Sequence, residues 1–311
     1  MYCGTLFIQY FCIDSYNVSV NKTNFHSDRR IPMKFEKEAR QLYNIVHSIA
    51  SRNQRTLTAR DENDHPAVLS TITDMSKVAE AVCIGVMDIP VDKIVGVAAP
   101  GAENHLYTPD FMPLASEASD FAAKWRSLYR DYFTDEGIRN PISYYEYLGR
   151  FYIIDGQKRV SVLKSCGEAV ISAQVVRLMP VESQDKEIQS YFQFLKHFCL
   201  TGLYQLSFNN PENFEKLQEA LGYESDYVWK DTDRYSFLFN WNVFECIYKK
   251  VFTEEKHMTA ADIFVSLLDE YSYSEITKMH AWELENALRA VWKKRYGSVV
   301  VNLEDVFPKI S

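Results

Sequence analysis

No C-x-x-C pair occurs in this sequence, and its six cysteines, at 3, 12, 83, 166, 199 and 246, stand at no spacing that would pair them with histidine around zinc. Neither a zinc site nor a disulfide framework is indicated. Free thiols in a reducing cytosol are the expectation, with Cys166 and Cys199 packing as small apolar residues. Positive charge is scarce as well: 34 Lys and Arg against 42 Asp and Glu give a formal charge of -8 and a pI near 5.5. A chain this acidic does not coat DNA through its whole surface, so any nucleic-acid contact has to be a local patch. Long apolar runs are missing too. Tyr2 to Ile13 is apolar and aromatic, but it is short for a membrane span, has no basic residue ahead of it and no small-residue cleavage pattern behind it. There is no internal repeat and no low-complexity tract.

What is present is ample material for a core, 47% hydrophobic and 14% aromatic in 311 residues. The glycosylation patterns at Asn17 and Asn21 are of a kind that arises often by chance and matters only on export. Residues 1–32 read as a non-native or disordered extension, with Met33 as an alternative start at the head of an amphipathic helix. A helical entry region over 33–85 follows, in which Phe35, Leu42, Tyr43, Val46 and Ile49 recur at helical spacing. Asn53 to Pro66 reads as an exposed loop carrying Arg52, Arg55 and Arg60 at its edge, and Val68 to Val82 as one helix or two short ones. Gly96 to Pro113 is a long loop with His105 as a candidate ligand contact, and Ala115 to Phe133 returns to helical periodicity.

The stretch from Arg150 to Leu178 carries the clearest chemistry. Arg150 to Ile154 is β-branched and aromatic, Asp155-Gly156 breaks it, Gln157 to Cys166 has helical spacing, and Val170 to Val176 reads as strand again. A helix beginning at Gln157 presents unpaired N–H groups and the positive end of its dipole, and Lys158 and Arg159 add two cations there, which suits a phosphate. The competing interpretation is a surface Lys-Arg pair on an ordinary helix. Ser143 to Tyr147 turns through Leu148-Gly149 into Arg150, as a β-hairpin feeding the Asp-Gly turn.

Ile89-Pro90-Val91-Asp92-Lys93-Ile94, then Gly137-Ile138 with Pro141-Ile142, then Asp155-Gly156-Gln157-Lys158-Arg159-Val160 follow one another in this chain. In that order they resemble the boxes of the ParB/sulfiredoxin superfamily: its opening IPxDxI, its G-x-x-x-P-I run before a hairpin, and its D-G-x-H-R or G-E-R-R signature. The chain is most similar there to bacterial proteins with a DGNHRVSVA-type signature, which Asp155 to Val162 (DGQKRVSV) approaches. The resemblance covers about Asp88 to Pro180 and continues more weakly into the helical tail. It implies an α+β fold, a small mixed-sheet core over 86–180 with helical extensions before it and over 181–311. It also implies a phosphate or nucleotide site, which takes CTP in chromosome-partitioning members, ADP in a free-serine kinase branch and ATP in sulfiredoxin, with Mg2+ as companion. Carried over by position, Asp155, Gly156, Gln157, Lys158 and Arg159 form that site, Ser161 supplies a hydroxyl, and Glu136 stands where a kinase-like member could place a carboxylate base, the alternative being a plain surface glutamate.

Two departures limit the carry-over. Gln157 occupies the position of sulfiredoxin's catalytic cysteine, so sulfinic-acid repair is not supported, and Lys158 replaces the usual histidine, keeping a cation but not a neutral-pH acid and base. No helix-turn-helix pattern follows the core, unlike DNA-partitioning members. Further helices are expected at Ser183 to Cys199, Glu212 to Leu221, Phe237 to Val251, Ala260 to Tyr271 and Trp282 to Arg295, with a last short strand at Ser298 to Leu303. Lys293-Lys294-Arg295 is the cationic complement of a helix C-terminus rather than a phosphate or RNA contact. The expectation is a cytoplasmic protein, with no membrane association, binding a nucleotide or another phosphorylated small molecule, with hydrolysis or phosphate transfer open and a helical tail for regulation or a protein partner. The alternative is a non-catalytic protein- or DNA-interaction module on the same scaffold.

Overall fold

The computed structural model describes residues 31–134, 137–138, 141–210, 212–252 and 259–296. Over these the chain is an α+β protein with a six-stranded mixed sheet preceded and followed by helices. It divides into two compact units, 31–188 and 189–296 among the described residues. Residues 1–30 and the strand expected at Ser298 to Leu303 lie outside them.

The first unit opens with α1, Ile31–Ala59, where Pro32 sits in the first turn, the one place in a helix where a missing N–H is harmless. The loop expected over Asn53 to Pro66 starts later, because α1 runs on to Ala59, and only Arg60 to Pro66 is turn and irregular chain. The polar end of the helix is satisfied locally: Thr56 and Thr58 donate to the carbonyls of Arg52 and Gln54 at 3.2 and 2.9 Å, and Asp64 accepts from Thr58 at 3.1 Å. Arg52, Arg55 and Arg60 are exposed there.

The helix expected over Val68 to Val82 is overturned. That segment holds the two-residue strand β1, Ala67–Val68, a single helical turn α2, Leu69–Ile72, and the start of the long strand β2, Val78–Pro90. Its Val and Ile residues are matched to a neighbour from Val78 to Pro90, a pairing that local spacing does not reveal. The remaining strands are β3, Ile94–Val97, the hairpin β4, Ser143–Tyr147, with β5, Arg150–Asp155, and β6, Val170–Pro180.

The strand order is β1-β3-β5-β4-β6-β2. β1, β3 and β5 run parallel in sequence, β4 is antiparallel to β5 and parallel to β6, and β2 closes the edge antiparallel to β6, with register breaks between Val78 and Glu80 and between Cys83 and Gly85. At the β1 edge the backbones approach so closely that a Cβ on Gly96 would fall 2.2 Å from the Ala67 carbonyl oxygen, so only glycine fits.

Tyr144, Phe151, Ile153, Ile171, Ala173 and Val175 are buried in the sheet. Glu146 and Arg177, partners in the parallel β4 to β6 register, form a buried ion pair, and Glu146 also accepts from the Gly149 N–H at 2.8 Å. Two more helices belong to this unit: α3, Asp120–Tyr132, N-capped by Ser119, and α4, Gln157–Ser165. Tyr43 of α1 packs edge-on against Trp125 of α3 and donates to the Ala115 carbonyl at 2.6 Å.

α5, Lys186–Thr201, leads into the second unit, which contains α6, Glu212–Ala220, α7, Asp231–Val251, α8, Ala260–Leu268, α9, Tyr273–Ile276, and α10, Ala281–Tyr296. Its interior is an aromatic cluster around Trp229, Phe237, Trp241, Phe244 and Phe264. α7 begins earlier than the apolar spacing indicates, because the Asp233 carboxylate in its first turn accepts from the Lys230 N–H just before it at 2.8 Å. Lys294 and Arg295 pair with Glu270 and Asp269. Among the described residues no helix is long and apolar enough to cross a membrane. Cys83 and Cys199 are free thiols, and Cys199 is exposed rather than packed inside, a departure from expectation.

Candidate functional site

β5 ends at Asp155, and Gly156 then takes φ 112° and ψ 21°, the left-handed conformation that starts α4. Any side chain would be strained at that φ, and a Cβ would stand 3.0 Å from Ile142 and 3.1 Å from the Arg159 guanidinium. The Val160 N–H closes the first helical bond on the Gly156 carbonyl at 2.9 Å. The turn of N–H groups ahead of Val160 has no acceptor within the helix, so the positive dipole end lies at Gln157 to Arg159. Gln157 is half-buried at this start.

The two cations diverge. Arg159 folds back over Gly156, donates to the Pro141 carbonyl at 3.0 Å and pairs with Asp155 one turn earlier, leaving its side chain 11% exposed while that of Asp155 is 75% exposed. Lys158 pairs instead with Glu103, which precedes the short helical turn Asn104–Leu106, and its ammonium lies 4.8 Å from the centre of the Phe121 ring. Its side chain is 17% exposed. Asp155, Gly156, Gln157, Lys158 and Arg159 therefore stand together at the turn, each cation against a carboxylate of the same chain.

Ser161 is not at the turn. Val160, Ser161 and Val162 form the buried face of α4, and the Ser161 hydroxyl accepts from the Trp125 indole N–H at 2.9 Å. Glu136 lies outside the described residues. His105 is exposed.

Sequence spacing missed Glu103, Phe121 and the Pro141 carbonyl, each far from α4 along the chain and brought in only by tertiary packing. It also missed Lys164, whose ammonium lies 5.6 Å from the Phe111 ring centre and whose pKa burial pushes down, against the pull of Asp110 and Asp92. Phe111 is fully buried and has a positive φ of 64°. Beside the turn, an open cleft of about 340 Å³ is lined by Tyr132, Ile138, Pro141, Ile142, Leu163 and Ser172. Tyr132 donates to Glu168 there, and burial with that acceptor raises its phenol pKa. Among the described residues no group of three or more His, Cys, Asp or Glu side chains is arranged to hold a metal ion.

No protein-family model matches the chain, and no curated protein matches it.

Proposed function

We propose that the first unit is a ParB/sulfiredoxin-like phosphate-binding module that takes a nucleotide or another phosphorylated small molecule at the Asp155 to Arg159 turn, in a cytoplasmic protein of bacterial type. The observation that carries this is the left-handed Gly156 at the start of α4, with the Arg159 guanidinium drawn back over it. A helix start and a largely covered cation at one turn suit a phosphate better than a lone surface arginine does. The neighbouring cleft is of a size to receive the rest of a small ligand. Mg2+ would enter with the phosphates, since the turn itself offers cations. Binding is better supported than turnover: Lys158 stands in place of an imidazole, and the Ser161 hydroxyl is engaged by Trp125. Hydrolysis or phosphate transfer through Glu136 would show as transfer from ATP or ADP that Glu136→Gln abolishes.

Calorimetric titration with CTP, ATP and ADP in the presence of Mg2+ tests the proposal. Saturable binding to one of them, lost in Arg159→Ala without a fall in thermal stability of more than a few degrees, is the expected result. No binding to any of the three rejects it.

A second reading is favoured by the pairing of both cations within the chain. On it, Asp155-Arg159 and Glu103-Lys158 are structural ion pairs, and the fold serves as an interaction module whose helical unit meets a protein or a specific DNA site. Arg159→Ala would then be close to neutral on stability and no nucleotide would bind.

A further inference from the structure

We propose that Lys164 is a covalent binding site for small neutral aldehydes, its amine capturing the carbonyl carbon as an imine beside the ring of Phe111. This site stands apart from the phosphate reading, because Lys164 lies in the last turn of α4, about 9 Å along the helix axis from Lys158. Its ammonium lies 5.6 Å from the Phe111 ring centre, and among the described residues no acceptor is within hydrogen-bond or ion-pair range of it. The side chain is half-buried. Burial pushes its pKa down, against the pull of Asp110 and Asp92, which act across a gap rather than in contact. A desolvated amine keeps more of its neutral form, and that is the form that attacks a carbonyl.

The ring opposite the amine is held there under strain. Phe111 takes a φ of 64°, uncommon for a bulky residue, and Thr108 fixes the turn around it. The Phe111 N–H donates to the Thr108 carbonyl at 2.8 Å, the Met112 N–H to the Thr108 hydroxyl at 3.1 Å, and the Thr108 N–H to the Met112 carbonyl at 3.0 Å. A strained position fixed by so many partners points to a use for the ring it presents. The surroundings also select the electrophile. Attack by Nζ forms the C–N bond, the carbonyl oxygen leaves as water with both amine protons, and protonation of the imine gives an iminium cation. That cation meets the same ring and the same two carboxylates, so the product keeps what surrounded the ammonium. An acyl donor would leave an uncharged amide in this place, and an anionic carbonyl compound would be repelled by the exposed Asp92 and Asp110.

The test treats the full chain with propanal and sodium cyanoborohydride at neutral pH, so that each iminium is fixed as a secondary amine. Peptide mass spectrometry follows modification at Lys164 and at the exposed Lys124 of α3. Lys164 is expected to be modified about tenfold faster than Lys124 in the folded protein, and that lead is expected to vanish in urea. Lys164→Arg, which keeps the charge, is expected to melt as wild type does and to lose the fast phase of incorporation; a fast phase that survives in it overturns the proposal. Equal rates at the two lysines in the folded protein also overturn it, and leave Lys164 as the cation that complements the end of α4. A lead that persists in urea does the same, because the reactivity would then belong to the local sequence and not to the ring. Nucleotide binding is expected to be unchanged in Lys164→Arg, so failure here and failure of the phosphate reading are told apart.

Discussion

The sheet unit and the helical unit bury polar groups of different kinds. Residues 189–296 close around stacked and edge-on aromatic rings, Trp229, Phe237, Trp241, Phe244 and Phe264, and among them bury Thr201, Asn213, Gln218, Asp262 and Ser266; Asp262 is fixed by Asn209, Asn213 and Thr259, and Gln218 accepts from the Trp229 indole. Residues 31–188 bury an ion pair across two strands, a serine under an indole, and a run of cations held against rings and carboxylates. They also contain the left-handed Gly156 and the positive-φ Phe111. Apolar ring packing tolerates imprecision and supplies stability; fixed polar partners and strained turns cost stability and define direction, which is what a binding site needs. The difference puts the buried ion pair and the positive-φ Phe111 in the first unit, the one in which the phosphate site is proposed.

The largest expected effect comes from Phe264→Ala. The ring meets Phe237, Trp241, Phe244 and Tyr273, so its removal should cost about 3–5 kcal/mol of the helical unit's stability in urea denaturation. Hydrogen exchange of β4 and β5 should be unchanged; if their protection falls in step, the two units do not fold independently and the contrast fails.

Ser161→Ala comes next. It strands the buried Trp125 N–H and should cost about 1–3 kcal/mol while leaving nucleotide affinity as in wild type. Weakened ligand binding at unchanged stability would return Ser161 to the site.

The smallest effect concerns pH. His197 stacks on Phe214 at 3.9 Å and meets Phe208 edge-on, and burial there lowers its pKa to about 4, from an ordinary value of 6.5. The unfolded chain therefore takes up the proton first as pH falls, and the helical unit loses stability between about pH 6.5 and 4. The ring is partly exposed, so the loss should be no more than roughly 1 kcal/mol. Comparing urea midpoints of wild type and His197→Phe at pH 7 and 5 checks it, the variant having the flatter profile.

Much of this was legible in the sequence, and the failures share a cause. The hairpin, the Asp-Gly turn, α4 and β6 stand where local signals put them, since alternation, a turn dipeptide and helical spacing agree from Ser143 to Pro180. β2 was misread because its apolar residues are satisfied by β6, where Val78 meets Pro180 and Pro90 meets Val170, rather than by their own neighbours. At the site, Gly156, Lys158 and Arg159 were visible because a turn and a helix start bring them together. Glu103 and Phe121 were not, because no spacing rule links a residue before α3, or one in its first turn, to the head of α4. Ser161 was misplaced for a simpler reason: two positions beyond Arg159 on a helix is a rotation of about 200°, enough to carry its hydroxyl to the side away from the guanidinium and into the core with Val160 and Val162.

The two register breaks in β2 have a consequence for how the protein meets its neighbours. A thirteen-residue border strand displaying Ile84 and Val86 would ordinarily be a template on which another chain could crystallise strand by strand. Interrupting the pleat at two places puts successive stretches of its outer N–H and C=O groups out of phase, so an incoming straight strand finds only short matching runs. The sheet therefore has a built-in stop, and its growth ends with its own chain.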